Sequence, residues 1–103
     1  MAQKPPHPGD LQKVVSRLAA VGAISFGEHA FDRALERGID INDAKRVLQS
    51  GYIKGDIDPG RGRDEWKCKI VGRIEGSSRW LGVVAVVIRG RRLYVITVEW
   101  EDA

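Results

Sequence analysis

Simple counting leaves little room for disulfide, metal or membrane chemistry in this chain. Its 103 residues include one cysteine, Cys68, and two histidines, His7 and His29. A lone cysteine excludes an internal disulfide framework and a cysteine-rich zinc site. Long apolar runs are also missing: the longest, Leu81 to Ile88, falls far short of the about 20 residues that span a bilayer. The opening Met1-Ala2-Gln3-Lys4-Pro5-Pro6-His7 lacks the apolar core of a signal peptide, so a cytoplasmic protein without a membrane partner is expected. Gly60-Arg61-Gly62-Arg63 does not have the Gly-x-x-x-x-Gly-Lys spacing of a nucleotide loop. Asp56-Ile57-Asp58 before Gly60 lacks the fifth-position oxygen and the closing Glu of a calcium loop. Neither a metal nor a cofactor is expected.

What is present has the balance of a folded domain. Hydrophobic residues make up 43% of the chain and charged ones 30%, which argues against disorder. A chain this short supports one modest core, so residues 1–103 form a single domain with a loose, Pro-rich lead over 1–9. The net charge of +3 is a mild pointer to an anionic partner.

Periodicity divides the chain into a helical half and a strand half. Asp10 is a candidate N-cap for a helix over 10–21, where Leu11, Val14, Val15, Leu18 and Ala19 recur at helical spacing and Gly22 offers a stop. Ser25 and Glu28 fit the capping-box spacing, which predicts a second helix from about Gly27 to Arg37, ended by Gly38. Asp40 caps a third helix, with Asp43 in its first turn, running to Gly51. Tyr52 to Ile57 is a short strand, and 58–64 is turn material. From Trp66 to Ile74 apolar and polar residues alternate. Trp80 to Ile88 is apolar on both faces and predicts a central strand covered on both sides. Leu93 to Trp100 closes the sheet. The expected fold is α+β, with N-terminal helices packed on one face of a curved antiparallel sheet of three or four strands.

Two constellations carry possible chemistry. On the second helix, His29, Arg33 and Arg37 fall within about 80° of one another, opposite an expected apolar face of Phe31, Ala34 and Leu35. This ridge is either an ion-paired helix surface, with Asp32 and Glu36 as partners, or a phosphate site. The second constellation is the polar side of strand 66–74, where Lys67, Lys69 and Arg73 share a face bordered by Arg61, Arg63, Arg89, Arg91 and Arg92. It is either a solvated sheet face or a groove for a nucleic-acid backbone. Trp66 and Trp80 are either core or a stacking surface for an unpaired base. Cys68 alternates with Trp66 and Ile70 and is expected to be a buried, inert thiol.

The run His29-Ala30-Phe31-Asp32-Arg33-Ala34-Leu35-Glu36-Arg37-Gly38-Ile39 resembles the His-Ala-x-x-Arg-x-x-x-Arg-Gly-Ile opening of a family of small prokaryotic domains of unknown function. That family is related to the BrnT and RelE toxin folds. Lys4-Pro5-Pro6-His7, followed by Leu11, Val14-Val15, Leu18 and Gly22, is similar to the start of MqsR-like toxins. The Trp66-Lys67 and Val95-Ile96-Thr97-Val98 strands also fall where those chains place theirs. The resemblance implies a RelE-like fold and an mRNA interferase: a metal-independent endoribonuclease toxin neutralised by a cognate antitoxin, free or on the ribosome. Carried over by position, Lys54 resembles a catalytic lysine, Lys67 follows the tryptophan, and Trp80 lies near a tyrosine position. Where MqsR-like chains have a late lysine, this chain has Glu99.

Cleavage of RNA by its own 2′-hydroxyl needs a base, an acid and cations around the phosphorane. The implied catalytic set is His29, Lys54 and Lys67. Arg33, Arg37, Lys69, Arg73 and Trp80 are the implied RNA-binding residues. Lys54 serves as a proton-transfer group only if its pKa is depressed. The competing expectations are a non-catalytic nucleic-acid- or protein-binding module, and a degenerate toxin fold whose apolar strand 80–88 is covered by a partner.

Overall fold

The computed structural model describes residues 4–101, so the first three residues of the expected lead, and 102–103, lie outside the described residues. Element order is α1 (Pro8–Ala20), β1 (Ile24–Phe26), α2 (Glu28–Arg37), α3 (Ile41–Ser50), β2 (Tyr52–Pro59), β3 (Glu65–Arg73), β4 (Trp80–Ile88) and β5 (Arg92–Trp100). The strands form one sheet in the order β1-β5-β4-β3-β2. β2 to β5 make the expected antiparallel meander, and β1 joins the far side of β5 in parallel. The fold is α+β, but the sheet is mixed and has five strands rather than three or four antiparallel ones. No helix among the described residues is long and apolar enough to cross a membrane.

α1 begins two residues earlier than its periodicity suggests. Pro8 takes the first helical position, where a missing N–H costs nothing. The His7 Nδ1 accepts from the Gly9 N–H at 3.0 Å as the cap, and Asp10 falls in the first turn instead. Leu11, Val15 and Leu18 are its buried stripe. Further along, the Ser16 hydroxyl donates to the Gln49 carbonyl, tying α1 to α3. α3 has the expected cap, with Asp40 accepting from the Asn42 N–H at 2.8 Å.

The capping box at Ser25 does not form. Ser25 is the middle residue of β1, and α2 starts from Gly27 with no side-chain cap. Non-local backbone bonding overrides the local signal: the Leu93 N–H donates to Ala23 at 2.8 Å and the Gly27 N–H to Val95 at 2.9 Å. Gly27 fits closely there: a Cβ would lie 2.6 Å from the Tyr94 hydroxyl oxygen and 3.2 Å from the Val95 carbonyl oxygen, so a larger residue would displace the tyrosine. At the other end of α2, Gly38 takes the left-handed conformation that stops a helix, at φ 64°.

One face of the sheet meets all three helices. Trp66, Cys68 and Ile70 of β3, Leu81, Val83, Ala85 and Val87 of β4, and Leu93, Val95 and Val98 of β5 share a core with Val15, Leu18, Ala30, Ala34, Val47 and Leu48. Trp66 is thus core, and burial pushes the Cys68 thiol up to about 12, as an inert thiol requires.

β1 is short and covers only Leu93 to Val95 of β5. Beyond it, α2 completes the edge. A guanidinium nitrogen of Arg37 donates to the Val98 carbonyl at 2.6 Å, and the Trp100 indole N–H donates back to the Arg37 carbonyl at 2.8 Å. Arg37→Met should therefore lower stability by about 1–2 kcal/mol. Arg33→Met, which loses only an exposed pair with Glu36, should change it by less than about 0.5 kcal/mol. Urea denaturation of the two variants checks the contrast.

Candidate nucleic-acid interface

Strand pleat decides what the second face carries. With alternate residues turned to the helices, β3 presents Glu65, Lys67, Lys69, Val71 and Arg73 to the other side, and β4 presents Trp80, Gly82, Val84, Val86 and Ile88. β5 adds Arg92, Tyr94, Thr97 and Glu99, with a register shift between Val84 and Ala85 that also admits Ile96. No helix covers this face, so the double cover expected for β4 is not found. Val84, Val86 and Ile88 are instead half-buried beneath neighbouring side chains. Lys67 lies opposite Val86 and Lys69 opposite Val84, positions from which lysine stems shield apolar strand while their ammonium groups stay wet.

At one end of this face is a groove of about 630 Å³. Val86, Ile88 and Ile96 line it, along with Lys67, Glu65, Arg61 and Tyr94. Tyr94 is 42% exposed. Lys67 makes no ion pair among the described residues. A tethered cation, a neighbouring carboxylate and an arginine therefore surround a space with apolar walls, to which Tyr94 adds ring surface while its hydroxyl lies beside Gly27. A smaller recess of about 410 Å³ between α3 and the end of β3 includes Arg73, Asp43 and Arg46. Its charge is partly spent locally, since Arg46 pairs with Asp43 at 2.9 Å.

The middle of the face holds a charge clip that the motifs did not foretell. Lys54 and Lys69 stand directly opposite each other on β2 and β3, a destabilising like-charge pair. Glu101 resolves it. Its carboxylate accepts from the Lys54 Nζ at 2.9 Å and from the Lys69 Nζ at 3.0 and 3.1 Å. The Glu101 N–H donates to the Trp80 carbonyl at 2.9 Å, which holds the residue beside Gly82. A Cβ at position 82 would sit 2.8 Å from a Glu101 carboxylate oxygen, so the glycine provides the slot. The Lys54 hydrogen bond is the largest effect and, with lesser help from Lys69, holds the Glu101 carboxyl below its ordinary value against burial, which is the second largest and opposes it. The same contact, chiefly the Glu101 hydrogen bond, raises Lys54. A base role for Lys54 required the opposite shift, so it is a protonated cation here.

Beyond the clip, Tyr52 and Trp80 form an edge-to-face pair with ring centroids 6.5 Å apart. Trp80 is 38% exposed and opposite Arg73. The aromatic and basic residues expected on strand 66–74 and at Trp80 therefore do share one surface.

The helix ridge does not join them. α2 buries Ala30 and Ala34 on the helix-covered side of the sheet, opposite Lys54, Lys67 and Lys69. Its outward residues are Phe31 and Leu35, 52% and 85% exposed, so the expected apolar face of Phe31 and Leu35 points to solvent. The two buried alanines are where α2 packs against β5. Arg33 pairs with Glu36 at 3.0 Å, and Arg37 is committed to the Val98 carbonyl. His29 is exposed on the same helix. The implied catalytic set of His29, Lys54 and Lys67 is thus divided between the two sides of the sheet, a question that the sequence left open. Among the described residues, no group of three or more His, Cys, Asp or Glu side chains is placed to hold a metal ion.

Sequence comparison places this architecture in a family. The chain belongs to the family described as Domain of unknown function (DUF4258), whose model matches residues 26–100, from the end of β1 to the end of β5. No curated protein and no solved structure matches significantly. The matched span includes the groove, Lys54, Lys69 and Trp80; α1 and Glu101 fall outside it.

The clip dictates a pH response. A carboxyl lowered in the folded state contributes stability above its ordinary range and loses it as pH falls through the lowered value. A raised lysine contributes below its ordinary range and loses it only at high pH. Wild-type stability should therefore drop more than that of Glu101→Gln between about pH 7 and about pH 3, the two converging at the acid end. Thermal melts across that range measure it.

Proposed function

We propose that the protein is an endoribonuclease of RelE-like architecture, acting as the toxin of a toxin–antitoxin pair, with RNA bound on the open face of its sheet. The observation that carries this reading is the groove in which Lys67, Arg61, Glu65 and Tyr94 converge. The layout of helices on one side and a basic, aromatic sheet face on the other supports it. RNA, a cognate antitoxin and, in the ribosome-dependent form of the activity, the ribosome are its partners, and the cytoplasm is its place of action.

The chemistry follows from the groove. The RNA 2′-hydroxyl attacks the adjacent phosphorus, forming the 2′-O–P bond as the P–5′-O bond breaks. A 2′,3′-cyclic phosphate and a 5′-hydroxyl result. Glu65 takes the 2′-hydroxyl proton, Lys67 supplies one to the leaving oxygen, and Arg61 stabilises the charge on the phosphorane. His29 and Arg37 have no part in this reading. The second reading, a non-catalytic RNA-binding module, is favoured by two observations: the clip keeps Lys54 protonated, and His29 is on an element packed against the other face.

Mapping new RNA 5′ ends in cells minutes after induction tests both. New ends are expected with wild type and with His29→Ala, and their loss is expected with folded Lys67→Ala and Glu65→Gln. No new ends with wild type, together with RNA binding that Lys67→Ala weakens, establishes the binding module. Ends that persist in Lys67→Ala and vanish in folded His29→Ala would return the site to α2.

A further inference from the structure

We propose that Lys54 and Lys69 form a phosphate subsite for single-stranded RNA, in which the Glu101 carboxylate now sits as an internal stand-in that the RNA must displace. The proposal rests on the RNA-binding reading of the open face and names the substrate class and a residue that tunes its affinity.

Three observations meet here. First, the two lysines converge on a single carboxylate, with all three contacts between 2.9 and 3.1 Å. A two-oxygen anion gripped by two ammonium groups has the charge and donor pattern with which the same groups grip a phosphodiester. Second, the subsite is in line with the rest of the face. Lys67, Lys69 and Arg73 are on alternate or next-alternate positions of β3, about 20 Å from first to last. The groove is at the Lys67 end and the Tyr52–Trp80 pair at the Arg73 end. A backbone that ran from groove to aromatic pair along β3 passes over the clip. An extended single strand follows such a line and offers bases to Trp80, whereas a duplex keeps its bases stacked inside. Third, the stand-in is held by its own small fittings and not by the core. Glu101 follows the last residue of β5, its side chain is 10% exposed, and the carboxylate occupies the slot over Gly82. Displacing it leaves the strands intact.

The consequence is that the folded protein lowers its own affinity for RNA by masking two of its cations. The test uses a fluorescently labelled ten-nucleotide 2′-O-methyl RNA, which binds without being cleaved, and anisotropy titrations over a range of salt. Glu101→Gln should bind roughly tenfold tighter than wild type. Adding Lys54→Gln and Lys69→Gln to that variant should abolish the gain. Gly82→Ala, whose Cβ would lie 2.8 Å from the Glu101 carboxylate and only 3.3 Å from the Lys69 stem, removes no charge; it should also tighten binding and serves if Glu101→Gln does not fold. Unchanged affinity in folded Glu101→Gln and Gly82→Ala, with binding still weakened by Lys67→Ala, overturns the subsite and leaves the groove standing. Absence of binding by wild type and all variants overturns the RNA reading itself. A gain for a labelled ten-residue poly-glutamate peptide with none for the RNA assigns the two lysines to an acidic protein segment and also overturns the proposal.

Discussion

A five-stranded sheet with helices on one side only must make its second face soluble with side chains alone. That constraint shapes the rest of the molecule. β4 is apolar on both faces, yet only Leu81, Val83, Ala85 and Val87 reach the helices. The other row, Val84, Val86 and Ile88, is sheltered by residues from the flanking strands. Lysine does this well, because its stem covers apolar surface and its head stays hydrated. The basic character of the face thus has a structural origin before it has a functional one. It also creates the electrostatic problem that Glu101 solves, since Lys54 and Lys69 face each other across the β2–β3 ladder.

The opposite edge of the sheet explains the arginines of α2. β1 pairs three residues of β5, and Arg37 takes up the Val98 carbonyl where no strand lies alongside. Trp100 returns a hydrogen bond to the end of the same helix. Arg-Gly-Ile at the end of α2 is in this light a fold signature: Arg37 fastens the helix to β5, Gly38 ends it, and Ile39 enters the core. A recurring arginine in such a motif reports edge closure as readily as phosphate binding.

Much of the layout was legible from periodicity, because the signals concerned are local. The α3 cap at Asp40, the Gly38 stop, the alternation through β3 and the span of β4 all rest on residues within a few positions of one another. What escaped was non-local. β1 is three residues long and is defined by bonds to β5, about 70 positions away, so Ser25 passed for a helix cap. Helical spacing put Phe31, Ala34 and Leu35 on one apolar face; Ala34 does turn inward, but with Ala30, while Phe31 and Leu35 stay exposed. The basic row of β3 was recognisable from alternation alone, whereas Trp80, open between core and stacking surface, joins it only through the pairing of β3 with β4. Glu101 carried no signal, since a lone glutamate after a strand acquires meaning only when the fold lays it over Gly82.

The account's central claim is that RNA lies on the open face, along β3 and β4, and not along α2. Backbone amide chemical-shift mapping on addition of a short single-stranded RNA tests this most directly. The account predicts shifts concentrated at Lys67, Lys69, Tyr94 and Trp80, with those of His29 and Arg33 unmoved. Shifts confined to α2, with the open face silent, would contradict it.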